Sequence, residues 1–372
     1  MVVVNNTQAT HSDQLTGAIK RISVLEELHQ DSLCRGELER CLDVSTPTFY
    51  RYLNWLKDRG LIQESTDEIT LTKMGEILLD EITRFETTVL TALQNAENDR
   101  DLLLDIIRHK SGLEALTNHP RDRRELERQL DVSRTTSYRF TRSFEKVGVI
   151  EKSEGKYALT AAGDEVVAAV DALETTAQTA IRLEPVLEVV DDTAYAFDLE
   201  AFAGATVTTT DQGDAHSPVN RAIALLQETD SLRAVDMNSI APIYLSDIQQ
   251  LIIEGMETIN IQTPEAIANI LVEYPEKCIE ACESGNVTVL LHEGLPYGLL
   301  ILDDRVGIGI RDEDSRTLQM FVDTDSSGAR EWAEAVFESY KANSVEMVGF
   351  SPWTFRRAME RLSPDHAVTV DR

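Results

Sequence analysis

The sequence is poor in lysine, aromatic residues and long apolar runs. Only nine of its 35 basic residues are Lys, against 65 acidic residues, so the formal net charge is −30. Such an acidic excess is typical of salt-adapted proteins, since molar salt screens charge repulsion beyond about 3 Å. No run reaches the roughly 18 apolar residues of a membrane span, and no signal-peptide pattern is evident. We therefore expect a cytoplasmic protein outside the membrane.

Cysteine is also scarce. The four cysteines, Cys34, Cys41, Cys278 and Cys282, are too few for a disulfide scaffold and indicate a reducing compartment. Cys278 and Cys282 lie four residues apart on an expected helix, but no His or further Cys accompanies them. We expect core cysteines and neither a metal nor a cofactor, with a thiol redox switch as the alternative.

An internal repeat organises the first half of the chain. Residues 37–75 align with residues 125–163 at a constant offset of 88, without a gap and with 17 of 39 positions identical. Both copies begin with Glu-Leu-Glu-Arg and continue through Asp-Val-Ser. Because a repeat determines the architecture, we expect two copies of one folding unit: module one, residues 12–75, and module two, residues 100–163.

Module one has the pattern of a winged helix-turn-helix. Apolar spacing predicts a first helix over 13–28, and a short second helix follows over 34–42. Ser45 suits the N-cap of a third helix that Gly60 ends, and a two-stranded wing is expected within 61–71. The segment from Val44 to Ile62 resembles the recognition segment of many archaeal and bacterial winged-helix regulators, which implies that the third helix reads DNA.

The third helix of module one divides into two faces. Phe49, Leu53 and Leu56 have the spacing of core residues. The outward set, predicted to contact base edges and phosphates, is Thr46, Thr48, Tyr50, Arg51, Asn54 and Lys57. A solvated polar face is the alternative interpretation.

Module two has the same order, with a capping-box pattern at Asp122 and Glu125. Ser137 and Thr141 stand where module one has Phe49 and Leu53, so we expect its core contact to be rotated or thinner. Its predicted DNA-binding set is Ser133, Arg134, Thr135, Thr136, Tyr138, Arg139 and Arg142, with Lys152 and Lys156 on the wing.

The two modules differ in charge. Residues 119–163 contain ten basic and seven acidic residues, a net charge of +3, whereas residues 31–75 contain six and eight, a net charge of −2. A locally positive module in an acidic chain is suited to bind phosphates. We therefore expect module two to be the principal contact with double-stranded DNA and module one to be auxiliary or dimerising.

Two long amphipathic helices follow the modules, over 73–96 and 161–183. Such helices beside winged helices often form the dimer that a two-fold operator requires, so a homodimer is expected. The alternative is that they only pack between domains.

Residues 184–350 alternate strands and helices. This alternation predicts an α/β sandwich with a largely parallel sheet that ends in hairpins. Residues 181–372 contain 34 acidic and 13 basic residues, so this part is not expected to touch DNA.

One run in this region is specific. The segment 292–310, followed by Ala329 to Ala333, Phe337 and Tyr340, resembles the middle domain of the archaeal methanogenesis regulatory proteins, which recur in haloarchaea behind a winged helix. The domain is also similar to the phospholipase-D-like effector domains of TrmB-type sugar-responsive regulators. The resemblance implies a haloarchaeal regulator whose C-terminal domain senses an effector, without naming the effector.

An enzymatic role is not expected. Phospholipase-D chemistry needs a His-x-Lys pair, and none of the seven histidines begins one. Four polar residues at expected strand ends are candidates for binding a small-molecule effector, because α/β sheets bind ligands there; solvated loop residues are the alternative. They are Asp236, Asn238, His292 and Glu293.

The sequence thus predicts an α+β multidomain protein: two tandem winged helix-turn-helix domains followed by an α/β, phospholipase-D-like effector domain. The expected function is a sequence-specific transcriptional regulator, and the alternative is an adaptor whose winged helices bind protein. The expected boundaries are 12–75, 76–99 (linker helix), 100–163, 164–184 (linker helix), 185–345 (sensing domain) and 346–372 (tail helix).

Overall fold

The computed structural model divides the chain into two compact units, Met1–Glu184 and Pro185–Arg372. The structure describes residues 13–66, 68–94, 100–190, 196–210, 214, 216–236, 245–273, 275–312, 317–349 and 351–362. Within the described part, none of the helices combines the length and the apolar character needed to cross a membrane.

Module one consists of helices followed by a hairpin. The helical segment α1 covers 13–19 and is separated from α2 by a turn at Lys20 and Arg21, so the expected first helix is interrupted. The remaining elements are α2 (Ile22–Gln30), α3 (Arg35–Cys41), α4 (Thr46–Lys57), β1 (Ile62–Ser65) and β2 (Glu68–Leu71), and the long helix α5 (Lys73–Leu93) follows.

Module two repeats this order. Its elements are α6 (Arg100–Arg108), α7 (Lys110–Glu114), α8 (Arg123–Leu130), α9 (Arg134–Lys146), β3 (Ile150–Ser153) and β4 (Lys156–Leu159), followed by α10 (Ala161–Arg182). The predicted capping box is confirmed, since the Asp122 carboxylate accepts from the Glu125 N–H at 2.9 Å and Glu125 accepts from the Asp122 N–H at 2.8 Å.

Residues at equivalent positions of the two modules make the same hydrogen bonds and close contacts. Thr72 caps α5 by accepting from the Gly75 N–H, and its hydroxyl bonds to the Gly60 carbonyl; Thr160 makes the same two bonds in module two. At Gly75 and Gly163 a Cβ would lie 2.0 and 2.1 Å from a backbone carbonyl oxygen. Each long helix is therefore fixed to its own hairpin by a close contact that requires glycine.

The long helices α5 and α10 pack against each other. Their buried residues occupy equivalent positions at the offset of 88, namely Leu78 and Val166, Ile82 and Val170, Phe85 and Leu173, and Val89 and Ala177. Each helix thus contributes its apolar stripe to one shared core.

The second unit contains a mixed eight-stranded sheet. Its strands are β5 (Thr206–Thr209), β6 (Ser231–Val235), β7 (Glu257–Gln262), β8 (Val287–Leu291), β9 (Gly298–Ile301), β10 (Val306–Arg311), β11 (Leu318–Thr324) and β12 (Val345–Glu346). The order is β12-β8-β7-β6-β9-β10-β11-β5. The helices are α12 (Ser217–Leu226), α13 (Leu245–Glu254), α14 (Pro264–Glu273), α15 (Pro275–Glu283), α16 (Ser327–Ala342) and α17 (Pro352–Leu362); α11 (Glu184–Val189) spans the boundary between the units.

The prediction of a largely parallel sheet is wrong. Among the strands that the structure describes, β6 with β7 and β7 with β8 pair in parallel, and the other five pairings are antiparallel. The physical reason is the length of the connections, since β9, β10 and β11 follow one another through short turns that only antiparallel neighbours permit. Parallel pairing is confined to strands joined by α13, α14 and α15.

Helices cover both faces of the sheet. Leu226 of α12 and Ile248 of α13 join Phe321 of β11 in a buried apolar cluster on one face. On the other face, Arg233 of β6 donates to Glu334 of α16 at 2.6 Å. The C-terminal helix α17 contacts β8 and β12, so the tail predicted from residue 346 packs on the same sheet.

Candidate nucleic-acid interface

The third helix of each module buries one face and exposes the other. In α4 the buried residues are Phe49, Leu53 and Leu56, as predicted. Of the predicted outward set, Thr46, Tyr50, Arg51, Asn54 and Lys57 are exposed and Thr48 is half-buried. Ser45 stands at the N-cap position, but its hydroxyl lies 3.0 Å from the Thr48 hydroxyl and makes no capping bond to the backbone.

Of the two expected alternatives for α9, a rotated or a thinner core contact, the structure shows the thinner one. Ser137 and Thr141 remain on the buried face, 2% and 0% exposed. The Ser137 hydroxyl donates to Glu127 at 2.9 Å, and that of Thr141 donates to the Ser137 carbonyl. Because these bonds satisfy both hydroxyls, the helix keeps its orientation with smaller side chains, while Phe140 and Phe144 supply the apolar bulk.

The outward face of α9 is exposed to solvent. Ser133 caps the helix by accepting from the Thr136 N–H at 3.1 Å. The predicted residues Ser133, Arg134, Thr135, Thr136, Tyr138, Arg139, Arg142, Lys152 and Lys156 are all exposed. Lys152 and Lys156 lie on the two strands of the hairpin, so the structure brings helix and hairpin cations into one module.

A cluster of cations and tyrosines lies beside α9. The Arg123 guanidinium donates to the Tyr157 hydroxyl at 2.6 Å and lies 5.1 Å from the ring centre of Tyr138. Arg142 lies 3.3 Å from the Tyr138 hydroxyl, and the Lys152 ammonium lies 5.4 Å from the Tyr157 ring centre. Contacts with ring faces hold cations without neutralising them.

In the described part of module two, Arg123, Arg134, Arg139, Arg142 and Lys152 take part in none of the ion pairs that the structure shows. Their charge therefore remains available to an external anion such as a phosphate.

Module one has a different electrostatic arrangement at the equivalent place. Glu64 of β1 accepts two hydrogen bonds from Arg35, at 2.5 and 2.7 Å, and one from Lys57 at 3.1 Å. The bonds from Arg35, and then from Lys57, lower the pKa of Glu64 to about 2. The carboxylate is thus charged at neutral pH and occupies two cations that would otherwise face a ligand.

The constant offset makes the contrast direct. Arg35 corresponds to Arg123, but Glu64 corresponds to Lys152. The sequence comparison identified Lys152 as a cation and overlooked Arg123, Tyr157, Arg35 and Glu64. The signal was present in the aligned copies, as a carboxylate in one hairpin replaced by an ammonium in the other.

The polar residues predicted to bind an effector lie at one edge of the C-terminal sheet. The Asp236 N–H donates to the Ile261 carbonyl, and the His292 N–H donates to the Gln262 carbonyl, so the ends of β6, β7 and β8 adjoin. The side chains have different partners. Asp236, buried and at φ 49°, accepts from Arg311 at 2.6 Å.

His292 is half-buried and lies edge-on to the Tyr340 ring of α16, at 5.1 Å between centroids. Glu293 is exposed, and Asn238 lies outside the described residues. Sequence reasoning missed Arg311 and Gln262. The Gln262 side chain is fully buried, and its Oε1 has no hydrogen-bond partner among the described residues.

The cysteines of α15 are packing residues. Cys278 is buried and its thiol accepts from Gln249 at 3.0 Å. Burial raises the pKa of Cys278 to about 11, so its thiol is protonated and unreactive at neutral pH.

Matches to known protein families separate the two modules from the C-terminal part of the chain. The family model of the HVO_A0261 N-terminal domain matches twice, over residues 9–94 and 97–182. The model described as methanogenesis regulatory protein FilR1, middle domain, matches residues 215–343. The predicted resemblance to the methanogenesis regulatory proteins is therefore confirmed over those residues. The search of curated proteins finds no match.

Among solved structures, the chain is similar to that of TrmBL2, titled an archaeal chromatin protein with a novel mode of DNA binding. The alignment has a TM-score of 0.33 and 16% identity, and it covers 65% of this chain and 94% of that chain.

Proposed function

We propose that the protein is a sequence-specific, DNA-binding transcriptional regulator whose two modules are winged helix-turn-helix domains. The observation that carries the proposal is the set of unneutralised cations on and beside α9, in a chain whose formal net charge is −30. The name of the methanogenesis regulatory family matched by residues 215–343 supports a regulatory role, which is not enzymatic in this proposal.

In this proposal α9 enters the major groove. Arg134, near its N-terminus, and Arg139 and Arg142, on its outward face, are the candidates for base-edge contacts, since Arg forms bidentate bonds with guanine. Lys152 and Lys156 contact phosphates beside the groove. Arg123 is oriented by the two tyrosines and adds a third phosphate contact.

Module one contributes less affinity. Glu64 would repel a phosphate and holds Arg35 and Lys57 away from it. Among the contacts of the described residues, Glu64 does not bind the outward residues Arg51 and Asn54. Module one therefore contributes base contacts of secondary importance rather than phosphate contacts.

The C-terminal unit is the proposed effector-sensing domain, of phospholipase-D-like type. Asp236, Asn238, His292 and Glu293 remain its proposed ligand residues, and the buried Gln262 amide adds a polar group at the same strand ends. A regulator of this kind acts in the cytoplasm, and the acidic composition suits a haloarchaeal interior. A homodimer was expected because a two-fold operator requires two readers, but this proposal needs no second copy, since α5 and α10 bury their apolar stripes against each other within one chain.

The competing function is a protein-binding adaptor. It is favoured by one observation, the internal neutralisation of the module-one face by Glu64. The two functions are separated by measuring binding of the purified chain to fragments of its own promoter region, in molar KCl, with a scrambled fragment as control. Preference for the promoter fragment supports the regulator, whereas equal binding to both, or none, supports the adaptor.

A further inference from the structure

The orientation of α5 and α10 relates the two modules. One cavity of about 250 Å³ within the N-terminal unit is lined both by the start of α5, at Met74 and Leu78, and by the end of α10, at Ala177 and Ile181. Parallel helices would bring Met74 next to the start of α10 instead. The two helices are therefore antiparallel, and the residues that each buries extend from its first turn to near its end.

When two copies of a unit are related by two-fold symmetry, the same element of each copy contacts its equivalent in the other. Here α5 and α10 are equivalent at the offset of 88, and the residues that they bury are equivalent too, with Ile82 and Val170 both 0% exposed. An ordinary dimer of winged helices obtains this relation from two chains. This chain contains it once, covalently linked.

The antiparallel pair also fixes the separation of the modules. Each module is attached to the N-terminal end of its own long helix, through Gly75 and Gly163. These helices have 21 and 22 residues, which at about 1.5 Å per residue extends roughly 30 Å. Half-sites read by a two-fold pair lie about 34 Å apart, one turn of DNA.

We infer that one chain acts as a covalent pseudo-dimer and reads two unequal DNA half-sites about one helical turn apart, without a second copy. The inference rests on the proposed function and goes beyond it by specifying the operator. Module two binds the stronger half-site through the cations on and beside α9 that form no ion pair among the described residues. Module one takes a weak half-site through Arg51 and Asn54, since Glu64 removes its phosphate contacts.

Stoichiometry and footprint test this inference together. The full chain is mixed with its promoter fragment, the mass of the complex is measured by light scattering, and hydroxyl-radical protection is mapped. We expect one chain per operator and two protected regions on one face of the duplex, one stronger than the other. Two chains on a palindrome, or a single protected region, would overturn the inference and leave the proposed function standing. A scrambled fragment bound equally well would instead remove the proposed function.

Exposed substitutions keep the test independent of folding. Arg51→Ala with Asn54→Ala is expected to erase only the weaker protected region and to reduce affinity about tenfold, because linked contacts add through effective concentration. The matched pair Arg139→Ala with Arg142→Ala is expected to weaken both regions. If the module-one pair left the footprint unchanged, module one would not contact DNA and the inference would fail.

Discussion

The substitution Lys152→Glu recreates in module two the arrangement of module one. In module one, Glu64 occupies the equivalent position and accepts from Arg35 at 2.5 and 2.7 Å. A carboxylate at position 152 would face Arg123 in the same way. The substitution therefore removes one cation and occupies a second, a loss of two phosphate contacts.

The magnitude follows from counterion release. Each phosphate contact contributes about 0.9 to the slope of log affinity against log salt concentration. Losing two contacts lowers the slope by about 1.8, which is roughly a 60-fold loss of affinity at about 0.1 M salt and almost none at about 1 M. Lys152→Gln loses one cation without occupying the other, so its slope should fall by about 0.9.

The assay is fluorescence anisotropy with labelled promoter DNA across a KCl series, with circular dichroism at each salt concentration to confirm folding. The order of slopes should be wild type, then Lys152→Gln, then Lys152→Glu. A Lys152→Glu protein that keeps the wild-type slope would refute the role assigned to this cluster.

Three further predictions concern folding and ionisation. Gly163→Ala should lower the free energy of unfolding by about 2 kcal/mol or more, since its Cβ would lie 2.1 Å from a carbonyl oxygen. Gly36→Ala, where a Cβ would lie in open space, should change the free energy of unfolding by less than about 1 kcal/mol. Urea unfolding of the two variants compares these free energies. Asp323→Asn should cost about 3 kcal/mol in the same assay, because the 0%-exposed carboxylate binds two arginines; a change below about 1 kcal/mol would contradict this. Glu64 should titrate near pH 2 by NMR, so its stabilising contribution is complete above the ordinary pKa of Glu and is lost as the pH falls through its pKa in the folded protein. Arg35→Ala should raise the pKa of Glu64. An unchanged titration midpoint of Glu64 in that variant would show that the ion pair does not cause the shift.

Local sequence signals predicted much of the secondary structure. The apolar spacing predicts helices over 264–273, 275–283 and 327–342 and a strand over 257–262, and α14, α15, α16 and β7 have these bounds. The three helices begin at Pro or Ser, which marks their starts in the sequence. The glycines at 60 and 148 end the third helices at positive φ, as expected. Caps and glycines act over a few residues, and such signals can be read without the tertiary fold.

Features that depend on contacts between residues distant in sequence were harder to predict. The sheet was expected to be largely parallel, because strand direction depends on which strands become neighbours. The burial of Ser137 depends on Glu127, ten residues away in sequence and in another helix. Arg123 and Tyr157 belong to the candidate interface only because the hairpin folds back beside the start of α8. Pairwise comparison of the two copies, in which Glu64 aligns with Lys152, was the sequence signal for the cluster around Arg123.

We propose that module two supplies the principal DNA contact. The most direct test of this proposal compares two matched triple variants by mobility shift on the promoter fragment: Arg134, Arg139 and Arg142 to Ala in module two, and the equivalent Thr46, Arg51 and Asn54 to Ala in module one. All six side chains are exposed, so both proteins should remain folded. We expect the module-two variant to lose the shift and the module-one variant to keep it with weaker affinity. The reverse ranking, or an intact shift in the module-two variant, would contradict the proposal.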